Sequence, residues 1–171
     1  MDVPAHEVSR IDVSTGGFRL AELRFPPGYR ESPHEPEAAY LTFVAEGAVE
    51  KHFGARGLTA AAGTLVTVPA GAAHGARFAE RSTVALVVAP VVEGDFALPL
   101  GRLLGSVTAL PAGQLDPVVR RIAVELRTHD EASSLVLEGL ALTVCATALR
   151  VESARCWRSP CTRRSRAVST C

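Results

Sequence analysis

A mainly β protein is expected from this chain: a small barrel or sandwich of short strands, followed by an antiparallel pair of helices. Two features carry this. Between about Phe18 and Val92, short apolar runs are broken by Pro26-Pro27-Gly28, Gly47, Gly54, Gly57, Gly63, Pro69-Ala70-Gly71, Gly75 and Pro90, which is the spacing of an all-β domain. Between Asp116 and Arg150 the apolar residues recur at three and four instead, as on helices with one buried face.

The elements follow in order. Strands are expected at Phe18–Phe25, Tyr40–Ala45, Val49–Phe53, Thr64–Val68 and Val84–Val88. Val49, Lys51 and Phe53 alternate with Glu50 and His52, as on a strand with one face in water. Residues 93–115 hold many Gly and Pro and read as a linker, with a short strand within Arg102–Leu110. Asp116-Pro117 opens the first helix: the carboxylate caps it, and Pro takes the first helical position, where no N–H is needed. Val118, Val119, Ile122, Ala123 and Leu126 then share one face, and Arg121 and Glu125 pair on the other. After a break at Thr128–Ser133, a second helix capped by Ser133 or Ser134 carries Leu137, Leu140, Ala141, Val144, Cys145 and Ala148. The short connection makes the pair antiparallel. Residues 151–171 are rich in Arg, Ser and Thr and are expected to be disordered. The expected organisation is a barrel over 1–115, a helical hairpin over 116–150 and a basic tail over 151–171.

Composition narrows the function. The chain has 171 residues, 47% hydrophobic and 21% charged, with a net charge of zero, ordinary for one globular domain. Residues 1–149 carry more acids than bases and residues 150–171 more bases than acids, so the body has no electrostatic footprint for nucleic acid. No uninterrupted apolar run approaches the ~18 residues of a membrane span, and the first residues lack the basic-then-apolar pattern of a secretory signal. A cytoplasmic protein with no membrane association is expected. The cysteines (Cys145, Cys156, Cys161 and Cys171) all lie near the end. A disulfide scaffold would spread its bridges through the fold, and Cys156-x4-Cys161 does not have zinc-ribbon spacing.

Two segments carry the functional reading. Gly63, Pro69, Gly71 and His74 stand in a run that reads as a strand followed by a turn at Pro69-Ala70-Gly71, after which His74 re-enters near the barrel mouth. Upstream, Gly28 leads through His34 and Tyr40 to Glu46-Gly47. Together these resemble the two motifs of the cupin family, a double-stranded β-barrel (jelly roll). In metal-binding cupins the first motif supplies two His and a Glu and the second one His. His34 and His74 match, whereas Pro36 stands at the second His and Tyr40 at the Glu. Two ligands of four are missing, and catalytic sites usually need three from the protein. No metal or other cofactor is therefore expected.

With these departures, Pro26-Pro27-Gly28-Tyr29, His34, Ala39-Tyr40-Leu41-Thr42-Phe43-Val44 and Glu46-Gly47, followed by the helix Leu137-Glu138-Gly139-Leu140-Ala141-Leu142, make residues 16–150 resemble the effector-binding and dimerisation domain of AraC-type transcription regulators. The resemblance implies that a small-molecule effector occupies the barrel and that the helices pair two copies into a homodimer; the residues expected to contact the effector are His34, Tyr40, His74 and Arg24. Such regulators continue into a helix-turn-helix domain; residues 151–171 are too few for one, so a truncated, non-enzymatic sensor without direct DNA binding is expected. The alternative is a metal-dependent cupin enzyme, an isomerase or oxygenase, that uses His34 and His74 with a third ligand such as Glu35 or Glu37.

Overall fold

The computed structural model describes residues 7–91, 94–128 and 130–158. In chain order the strands are β1 (Ser9–Ser14), β2 (Phe18–Phe25), β3 (Arg30–His34), β4 (Tyr40–Glu46), β5 (Ala48–Phe53), β6 (Arg56–Ala61), β7 (Thr64–Val68), β8 (His74–Phe78), β9 (Thr83–Pro90) and β10 (Thr108–Pro111). The helices are α1 (Ala97–Leu104), α2 (Asp116–Thr128) and α3 (Ser133–Arg158). Sheet A runs β1-β2-β9-β4-β7-β10 and sheet B runs β3-β8-β5-β6. All pairings are antiparallel. The architecture is a mainly β, cupin-like double-stranded barrel followed by a packed pair of helices, as expected.

The two sheets face each other across an apolar interior. Phe25, Val44, Val66 and Val68 of sheet A meet Val49, Ala76 and Phe78 of sheet B there. Phe25 and Phe78 stack with centroids 3.8 Å apart. The outer face of sheet A is covered too. Leu20, Leu41, Phe43, Leu65 and Leu86 pack against Leu103, Ile122, Leu137 and Ala141 of the helices. Sheet A is thus buried on both faces, which explains why its central strands read as continuous apolar runs. Sheet B has one face in water, and β5 alternates accordingly.

The strands that local pattern did not announce are β1, β3, β6 and β8. Three of these, β1, β3 and β6, are sheet edges, as is β10. An edge strand is held from one side only, so it can be short and polar. Residues 97–104, expected as linker, form α1 instead. Pro99 lies in its first turn, where it disrupts no hydrogen bond, and Leu100, Leu103 and Leu104 are buried. Glu125, expected on the solvent side of α2, is buried. It does pair with Arg121 (3.3 Å), and it also accepts a 2.7 Å hydrogen bond from Ser133 Oγ at the start of α3. The tail expected from residue 151 begins later, because α3 continues to Arg158; the Cys161 and Cys171 positions lie outside the described residues. By length and composition α3 could cross a membrane. Its buried side chains pack within the same core as α1 and α2. Burial pushes the Cys145 thiol up to about 12, so it serves as an apolar packing group.

One ion pair ties the helices to the sheet. Glu22 on β2 is 3% exposed and accepts hydrogen bonds from Arg127 of α2 (2.5 and 2.6 Å) and Arg24 of β2 (2.9 Å). Arg127→Met removes the helix-borne partner of a buried carboxylate and should cost about 2–3 kcal/mol in urea unfolding. A loss below about 0.5 kcal/mol would show the pair to be unimportant.

Candidate metal centre

The register of sheet B builds the site. His34 on β3 pairs with His74 on β8, and Glu31 pairs with Ala76. A strand alternates faces, so residues three apart point to opposite sides. The β3–β8 register shifts between Glu31 and His34. One extra residue on β3 restores the phase and turns Glu31 and His34 to the same face. Pro33 falls within this bulge, where a missing N–H is tolerated. On β8, Gly75 faces the irregularity: a Cβ there would come within 3.1 Å of the Glu31 carbonyl oxygen. The β7–β8 turn delivers His74, and Gly71 within it takes the positive φ (70°) that the turn demands.

Rows of side chains can then be read across sheet B. Phe53, His74 and His34 form the outermost interior row, Phe53 and His74 stacking at 5.2 Å and the two His rings lying 4.5 Å apart. Below it lie Lys51, Ala76 and Glu31, from β5, β8 and β3. Val49 and Phe78 close the floor. Tyr40 leans in from β4, its hydroxyl 2.9 Å from His74 Nε2.

Glu31, His34 and His74 bring one ligand atom each within 4.8 Å of one another. Both imidazoles are oriented for ligation. His74 Nδ1 lies 2.8 Å from the Ala72 carbonyl and His34 Nδ1 lies 3.3 Å from the Ser32 carbonyl. A carbonyl only accepts, so each Nδ1 carries the hydrogen and each Nε2 keeps its lone pair, the arrangement by which backbone carbonyls fix metal-binding histidines. Burial lowers the pKa of His74, while its bond to Ala72 opposes the shift. Burial, with the charge of Glu31 behind it, raises that of Tyr40 far above its ordinary value. Tyr40 is therefore a neutral hydroxyl that donates to Nε2. Two imidazoles and a carboxylate with open positions suit Fe(II), Zn(II) or a similar divalent ion.

The structure brings together His34, Tyr40 and His74 and leaves Arg24 apart. Arg24 lies on the other side of sheet A, lining a cleft of about 650 Å³ between that sheet and α2. The carboxylate that lies beside the two imidazoles is that of Glu31, at a position the motif did not reserve for one, and not that of Glu35 or Glu37. The only signal in the sequence was Pro33, since a proline inside a strand marks an edge or a bulge.

No protein-family model matches the chain, and no curated protein does. Similar solved structures include a cupin superfamily protein from Desulfitobacterium hafniense (14% identity, TM-score 0.46, covering 53% of this chain and 84% of that one). KdgF from Halomonas sp. is another (24%, 0.45, 53% and 85%). A DMSP lyase is a third (21%, 0.45, 48% and 47%). What the strand order itself shows is a mainly β, cupin-like double-stranded architecture. The finer resemblance to AraC-type regulators finds no specific counterpart among the described residues. The expectation of a non-enzymatic effector sensor, which rested on two missing ligands, is overturned by the Glu31, His34 and His74 cluster: a carboxylate does stand beside the two imidazoles, brought there by the bulge.

Proposed function

We propose that this chain is a metal-dependent cupin enzyme acting on a small molecule, with Glu31, His34 and His74 holding a divalent ion. One observation carries the reading. Two imidazoles, each held through Nδ1 by a backbone carbonyl, bring a ring nitrogen within 4.8 Å of a carboxylate and of each other. Three protein ligands leave coordination positions open, as catalytic sites do and closed structural sites do not.

The ion, when bound, supplies Lewis acidity and a place for substrate oxygen. The protein supplies the rest. Phe53 stacks on His74 and shields it from water. His34 is exposed and marks the open side. Tyr40 now donates to the same Nε2 lone pair that ligation uses, so ligation frees its hydroxyl to bond to a substrate atom.

The test is metal content of protein purified without chelators, followed by Co²⁺ titration. Wild type should bind about one ion per chain, and Glu31→Gln should weaken binding at least ~10-fold. Turnover of small carboxylic acids, followed by mass spectrometry, should stop with EDTA and return with metal. Wild type that binds no Co²⁺, or Glu31→Gln that binds it as tightly, would overturn the reading.

A further inference from the structure

We propose that Lys51 receives the carboxylate of an anionic substrate held at the metal centre, which makes small carboxylates the substrate class. This rests on the metal reading above. Lys51 is the only lysine of the chain. It points into the barrel from β5, in the row of Ala76 and Glu31, and is 6% exposed. A buried ammonium is disfavoured without an anion or several acceptors, and burial lowers the pKa of Lys51 while the charge of Glu31 opposes the shift. Its hydrogen bond is a long one, 3.4 Å, to the Tyr40 hydroxyl, whose ring it faces at 5.7 Å. That hydroxyl is neutral and is already donating to His74. Among the described residues no carboxylate lies within ion-pairing distance of Lys51. Glu31, across Ala76 in the same row, is a metal ligand in this reading.

The charge count points the same way. One carboxylate and two neutral imidazoles leave a divalent ion with one net positive charge, and Lys51 adds a second. Val44, Val66, Val68 and Phe78 of the same barrel interior are apolar and contribute no charge, so the balancing anion is assigned to the ligand. Lys51 is connected to His74 Nε2 through the Tyr40 hydroxyl alone. Ammonium and imidazole nitrogen thus lie 3.4 and 2.9 Å from one shared hydroxyl. A carboxylate can engage both the ammonium and the ion, and a neutral amide of the same shape engages the ammonium poorly.

A single lysine makes the test direct. Protein labelled with ¹⁵N-lysine has one side-chain Nζ resonance. It is loaded with Zn²⁺ and titrated with malonate and with the neutral malonamide. Malonate should shift the Lys51 signal saturably and malonamide should leave it in place. By calorimetry Lys51→Met should bind malonate at least ~10-fold more weakly while keeping Zn²⁺ affinity within about twofold of wild type. A stationary Nζ signal, absence of malonate binding, or equal malonate affinity in Lys51→Met would overturn the inference. The signal is read on wild type, so it stands even if the variant misfolds. Failure to take up Zn²⁺ would remove the metal reading instead. Malonate added to the metal-free protein then decides the anion site alone: a shifted Nζ signal supports it and a stationary one ends it.

Discussion

His74→Ala should lower Co²⁺ affinity more than ~100-fold, the largest effect expected of any substitution here. Three features of the residue add up. It is 1% exposed, its Nδ1 is tied to Ala72, and Phe53 is stacked against it. Its Nε2 is therefore presented in one orientation, with little entropy left to lose on ligation. His34 is exposed and its Nδ1 bond is longer, so His34→Ala should weaken binding less than His74→Ala does. Competition against a chromophoric chelator measures both, and circular dichroism confirms that each variant is folded. Equal affinities for wild type and His74→Ala would place the ion elsewhere or nowhere.

Phe43→Ala should destabilise the fold by about 3–5 kcal/mol, lowering Tm by roughly 10–15 °C for a domain of this size. Phe43 is 1% exposed and belongs to the core between sheet A and the helices. The void it leaves is walled by β-sheet on one side and by helix on the other, and neither can collapse without moving the other. Phe53→Ala, at the barrel rim and only partly buried, should cost no more than about half as much. Thermal and urea unfolding of the two variants compare them. If Phe43→Ala cost under about 1 kcal/mol, the helices would not be packed on sheet A as described.

The central strands and both long helices could be read from the chain because each is decided by local pattern. Phe18–Phe25 and Thr64–Val68 are strands with the bounds their apolar runs imply. Val119, Ile122, Leu126, Leu137, Ala141 and Val144 are buried as helical spacing requires. The polar edge strands were not legible, because nothing local distinguishes Arg30–His34 from a loop. Helix α1 was hidden by Pro99 and Gly101, residues that tertiary burial of three leucines overrides.

The site divides in the same way. The barrel, the turn at Pro69-Ala70-Gly71 and the presence of His34 and His74 as two recognisable ligands are written in the order of residues along the chain. The carboxylate that joins them is not. Glu31 and His34 are three residues apart, which in a regular strand is the wrong phase. Their convergence depends on a shift of register against β8, and register belongs to the pairing of two strands rather than to the sequence of either.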